Sequence, residues 1–145
     1  LLHAARHHAV HDFGGFPPEL YTLRYDAPGA PELAPRVAAL LAARGIDAAA
    51  SDEPGLDHGI WCVLRFAWPD ADLPVLPLAL APQQPPAAQW SLGEALAPLL
   101  ADGVLLLGSG SLTHNLGLIF RRPPPASDAP ETAETRAFRD WVAER

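Results

Sequence analysis

The run Val104-Leu105-Leu106-Leu107, closed by Gly103 and Gly108, is the most restrictive stretch of this chain. Four consecutive apolar residues leave no polar face, so the segment reads as a strand buried on both sides, as in an α/β sheet. Helical patterns supply the covering layers. Leu33, Val37, Leu40 and Leu41 recur on one face of a helix that Pro31 opens and Gly45 stops. A second helix is expected from Ala87 to Ala101, with Trp90, Leu92, Leu96 and Leu99 inward. A final amphipathic helix covers Glu131 to Arg145, with Phe138, Trp141 and Val142 on one side. The fold class is α/β, a central sheet flanked by helices.

The remaining elements are shorter. Residues 1–6 read as the tail of a strand entering a Gly-Gly loop. Pro17 and Pro18 open a short helix, with Leu20 and Leu23 inward. Ala27-Pro28-Gly29 reads as a turn, Ile46 to Ala50 as a strand, and Ser51 to Gly59 as a polar loop. Ile60 to Phe66 reads as a buried helical turn. Leu73 to Leu80 reads as a strand that Pro74 and Pro77 confine to an edge. Arg121 to Pro130 is Pro-rich and expected to be exposed.

Bulk properties exclude several function classes. The 145 residues suffice for one domain with a real core. The formal charge is -7, the ten cations are all Arg, and no basic cluster occurs, which argues against nucleic-acid binding. Cys62 is the single cysteine, so neither an internal disulfide nor a Cys-based metal cluster can form. This fits a reducing cytoplasm. No apolar run approaches the roughly 20 residues a membrane helix needs, and no signal peptide precedes the first motif. The chain starts Leu1-Leu2-His3 and ends inside a helical pattern. Residues 1–145 are therefore expected to be a single partial domain, with parts missing at both ends.

Three histidines sit in loops with the chemistry of a site. They are His11 in His11-Asp12-Phe13-Gly14-Gly15-Phe16-Pro17, His58 in Asp57-His58-Gly59-Ile60-Trp61, and His114 in Ser111-Leu112-Thr113-His114-Asn115. Imidazole is the commonest metal ligand and exchanges a proton near neutral pH. His114 lies just past the apolar run and its Gly-Ser turn, where open α/β sheets place ligands. The competing reading is a helix start, with Ser111 or Thr113 as N-cap and His114 merely exposed. Asp57 beside His58, and Asp12 beside His11, invite pairing, but sequence neighbours rarely face each other. Phe13, Phe16, Tyr21 and Tyr25 make either an aromatic wall for a planar substrate or ordinary core. His3, His7 and His8 are expected at the surface of a strand end. Gly108-Ser109-Gly110-Ser111 lacks the spacing of a phosphate loop or a nucleophile elbow. No carboxylate stands at a metal-motif spacing from a histidine.

Taken together, the segments resemble the class III extradiol ring-cleaving dioxygenases, in their 4,5-DOPA dioxygenase branch. The resemblance runs through residues 11–17 with Leu20-Tyr21, then Tyr25, Ala27-Pro28-Gly29, Leu56-Asp57-His58-Gly59 and Trp61. It continues through Pro69 to Val75, Gly108-Ser109-Gly110 and His114-Asn115-Leu116. The order and approximate spacing hold along essentially the whole chain.

The resemblance implies a partial catalytic domain of a non-haem metal enzyme. Such an enzyme opens a catechol-type, DOPA-like ring with O2 beside one hydroxyl. Its partners are a small aromatic substrate and O2, with no nucleic acid and no membrane. Fe(II) is the cofactor expected for activity. Zn(II), which has no redox chemistry, is expected only as a resting or substituted occupant. By the same resemblance His114 matches a histidine that is either a metal ligand or the active-site base. His58 matches a catalytic histidine that hydrogen-bonds substrate or oxygen. His11 matches a pocket histidine, and Phe13, Phe16 and Trp61 are expected to shape the substrate pocket with it. The family's other metal ligands lie upstream and downstream of the segments matched here, so the isolated piece is expected to bind metal weakly and to be inactive. The alternative is a non-catalytic, Memo-like binding protein on the same fold. A zinc hydrolase is a third option, but it needs a carboxylate base that no motif supplies.

Overall fold

The computed structural model describes residues 1–111, 114–120, 126 and 128–144. It divides into two compact units, Leu1–Ser109 and Gly110–Arg145. The α/β class holds. The first unit contains a small mixed sheet of order β2-β1-β3, with β1 at Arg6–Ala9, β2 at Ala27–Pro28 and β3 at Gly55–Leu56. β1 runs antiparallel to β2, with His7 opposite Ala27, and parallel to β3, with Ala9 opposite Leu56. Backbone bonds from His8 N to Pro54 O (2.9 Å) and Val10 N to Leu56 O (2.8 Å) extend the parallel pairing. Isolated bridges join Leu2 to Ser51 and Gly29 to Val75.

The helices of this unit are α1 at Ala34–Ala42, α2 at His58–Ala67 and α3 at Pro86–Leu96, the last running into a 3-10 turn over Ala97–Asp102. Another 3-10 turn covers Pro18–Thr22, opened by proline as expected. One core gathers Val37 and Leu41 of α1 with Ala95, Leu96 and Leu99. The other gathers Tyr25, Ala27, Leu56, Trp61 and Leu64, with Phe13, Leu23 and Ile60 packed against it. This second core underlies the His11 and His58 segments. The second unit holds α4 at Leu116–Ile119 and α5 at Ala133–Ala143. Thr132 caps α5 by accepting from Thr135 N at 3.2 Å, and Phe138 stacks on Trp141 with centroids 5.8 Å apart. Among the described residues no helix is long and apolar enough to cross a membrane.

Several sequence expectations need correction. Val104–Leu107 forms no strand, and Leu105 is 65% exposed. A strand requires a neighbour to take its N–H and C=O groups, and among the described residues no segment pairs with it. Ile46–Ala50 likewise forms no strand, and Leu73–Leu80 contributes a single bridge at Val75. Ala27–Pro28 is a strand rather than a turn. Pro28 is tolerated because β2 is an edge. Trp90 is exposed rather than core. It lies two residues before the partly buried Leu92, about 200° around the helix from the inward side that Leu92 shares with buried Leu96. Leu20 is exposed. Much of the Pro-rich segment, 121–125 and 127, falls outside the described residues.

His7 is the other correction. It is buried on the central strand, and among the described residues neither ring nitrogen has a hydrogen-bond partner. Alternation along β1 sends Arg6 and His8 outward and His7 in. An unsatisfied buried polar group is costly. His7→Leu is therefore expected to raise stability by about 1 kcal/mol in denaturant unfolding; a loss of stability would show that the ring has a partner.

Gly29 carries the tightest backbone approach. Its N–H donates to Ala5 O at 2.9 Å, and a Cβ there would lie 1.8 Å from Ala4 O. Gly29→Ala must push β2 off β1 and is expected to cost about 3 kcal/mol. A midpoint within experimental error of the wild type would contradict that packing.

Candidate functional site

The site is assembled where β1 leaves the sheet and α2 begins. Asp57 has extended backbone (φ −68°, ψ 166°), and its carboxylate accepts from Ile60 N at 3.1 Å. This is an N-cap, which satisfies one of the donors left open at a helix start. It makes His58 the first helical residue, with a half-exposed side chain. One turn in, Trp61 is buried, and its indole N–H donates to Val10 O at 2.9 Å. That bond fixes the end of β1 against α2 and brings the His11–Phe16 segment over the same helix.

Asp12 is the partner of His58. Its Oδ1 accepts from the His58 backbone N–H at 3.0 Å and lies 2.9 Å from the ring Nδ1. Burial pushes the Asp12 carboxyl up, but the hydrogen bonds from the His58 ring and backbone outweigh it, and the net direction is down. Asp12 is therefore a carboxylate at neutral pH. Burial pushes the Cys62 thiol of α2 up, and the Asp12 charge adds to the effect.

The aromatic residues gather around Phe13. Its ring meets His58 edge-on (5.8 Å, 90°) and His11 edge-on (5.8 Å, 81°). Phe16 lies at 5.5 Å, Tyr21 at 5.3 Å and Trp61 at 6.3 Å. His11 also contacts Trp61 at 5.5 Å. The His11 Nε2 lies 3.1 Å from Leu23 O. A carbonyl only accepts, so Nε2 carries the proton. Gly15, at φ +80°, supplies the left-handed turn between Phe13 and Phe16. Ser109 donates to Gly59 O at 2.8 Å, tying the end of the Gly-Ser turn to the start of α2.

His11, Phe13, Phe16, His58 and Trp61 are thus brought together in the first unit. His114 belongs to the second unit, where it is exposed and its carbonyl accepts from Leu116 N at 3.1 Å just before α4. Thr113, the alternative cap, lies outside the described residues. Sequence reasoning left Asp12 ambiguous and discounted Ser109. The only sequence signal for Asp12 is its place inside the first histidine segment, because its partner is 46 residues away. A cavity of about 590 Å³ lies elsewhere in the first unit, lined by Leu41, Ile46, Leu78 and Leu92 among others, and none of the clustered residues borders it. The histidine cluster is instead an open, half-exposed surface. Among the described residues no three His, Cys, Asp or Glu side chains converge as a metal cage. The described residues do not by themselves fit a catalytic metal.

Residues 1–134 match the model of the catalytic LigB subunit of aromatic ring-opening dioxygenase. The chain is similar to the 4,5-DOPA dioxygenase extradiol of Beta vulgaris, 44% identical over 136 residues, which cover 92% of this chain and 48% of that protein. The protein of the same name from Escherichia coli (strain K12) is 44% identical over 108 residues, covering 74% of this chain and 39% of the relative. Dioxygenase tasH of Hapsidospora irregularis is 34% identical over 142 residues, covering 95% of this chain and 44% of the relative. The chain spans less than half the length of these relatives. On the match along residues 1–134, the chain belongs to the family of the catalytic LigB subunit of aromatic ring-opening dioxygenases.

Proposed function

We propose that the whole protein is an extradiol dioxygenase that opens a catechol-type, DOPA-like ring with O2, and that both units of this chain belong to its catalytic domain. The observation that carries the reading is the joint surface of His11, Phe13 and His58, backed from beneath by the buried Trp61 and built by the segments that carry the resemblance. Aromatic edges and faces suit a planar ring, and the histidines suit its hydroxyls.

The proposed roles are those the family resemblance implies. Phe13 orients the substrate ring and the buried Trp61 holds Phe13 and His11 from beneath, with Phe16 and His11 at the ring's margin. His58 hydrogen-bonds a substrate hydroxyl. His114 is the exposed imidazole proposed either to take a substrate proton or to serve as a metal ligand. A general base placed this way contributes roughly 10²- to 10⁴-fold. Fe(II) is the cofactor proposed for the active protein and Zn(II) a possible substitute. The residues described here do not assemble a metal cage, so His114 alone is offered toward one, and the isolated chain is expected to be inactive. Cytoplasmic placement is part of the same reading, supported by the free Cys62. Nothing in the site or in the relatives favours the binding-protein alternative.

The test uses the full-length protein loaded anaerobically with Fe(II), given DOPA or catechol, and then exposed to air. O2 uptake coupled to a yellow ring-opened semialdehyde is expected; no uptake at full metal occupancy would overturn the reading. His58→Phe should lower kcat about 100-fold while leaving metal content, read by elemental analysis, near that of the wild type. Loss of both together would make His58 a ligand instead.

A further inference from the structure

We propose that Asp12 is a positioning residue that holds His58 as its Nδ1–H tautomer, leaving Nε2 as a hydrogen-bond acceptor directed at a hydroxyl donor. The observation is one carboxylate oxygen with two contacts to the same residue, 3.0 Å to the backbone N and 2.9 Å to the ring Nδ1. The backbone N–H can only donate, so Oδ1 is an acceptor in that bond. The same oxygen then accepts from Nδ1. The depressed Asp12 carboxyl agrees, because a charged acceptor strengthens both bonds. A neutral imidazole has one N–H, so a proton on Nδ1 leaves a lone pair on Nε2. The hydrogen bond at one nitrogen decides the role of the other.

The geometry fixes more than the proton. The backbone bond locks the carboxylate to the first residue of α2, and Phe13, the next residue after Asp12, meets the imidazole at 90°. Asp12 thus sets the tautomer while Phe13 limits the ring plane. Asp57, the sequence neighbour, is engaged with Ile60 N–H and does not compete. An Nε2 acceptor suits a phenolic or catecholic hydroxyl and disfavours a carbonyl or carboxylate oxygen. The identity of that ligand rests on the dioxygenase reading; the tautomer does not.

The experiment is a long-range ¹H–¹⁵N correlation spectrum of the histidine rings in the full-length protein, with His58 assigned through His58→Phe. The neutral His58 ring is expected to show the Nδ1–H pattern. Asp12→Ala should shift it to Nε2–H, and Asp12→Asn, which keeps an acceptor oxygen, should retain Nδ1–H. In the turnover assay Asp12→Ala should lower kcat about 100-fold with KM nearly unchanged, and Asp12→Asn should recover part of it. An Nε2–H or doubly protonated His58 in the wild type at neutral pH, or a spectrum unaltered by Asp12→Ala, would overturn the proposal. Absence of wild-type turnover counts against the dioxygenase reading alone, because the spectrum still decides the role of Asp12.

Discussion

The hydrogen bond from the Trp61 indole to Val10 O (2.9 Å) is the joint on which the site depends. It connects the last residue before the first histidine segment to the first turn of α2. Trp61 is buried in the core that also holds Tyr25, Ala27, Leu56 and Leu64, so the joint is anchored by apolar packing as well as by its polar contact. Large aromatic side chains with one polar atom suit such a place, since they bury much surface and still fix a direction. With that joint made, His11, Asp12 and Phe13 lie over the start of α2, and a half-exposed cluster acquires definite geometry.

The two aspartates show how a helix start organises chemistry. Asp57 adjoins His58 in sequence but spends its carboxylate on the helix cap. Asp12, 46 residues earlier, takes the imidazole. The cap turns His58 outward from α2, and the distant carboxylate meets it. Local sequence therefore suggests the wrong partner, because the N-cap requirement captures the nearest acid first.

The ordered motifs, the α/β class, α1, α3 and α5 were within reach of the sequence, whereas α2 reads there only as a buried turn over Ile60–Phe66 and in fact begins at His58, in what reads as a polar loop. The sheet was not within reach. Val104–Leu107 has the composition of a buried strand, yet ladder pairing is a property of two segments, and no partner stands beside it among the described residues. Ala27–Pro28 looks like a turn by composition but pairs with β1 because Gly29 lets the backbones approach. His7 reads as a surface residue until β1 is known to be the central strand. Each of these depends on contacts distant in sequence, whereas the motifs and helix stops are local.

In the proposed function, the surface of His11, Phe13 and His58, backed by Trp61, receives a hydroxylated aromatic ring. The most direct test is a structure of the full-length protein with a catechol bound under anaerobic conditions. A catechol hydroxyl is expected within hydrogen-bonding distance of His58 Nε2, with the ring against Phe13. A catechol bound away from these residues, such as in the cavity bordered by Leu41, Leu78 and Leu92, would contradict it.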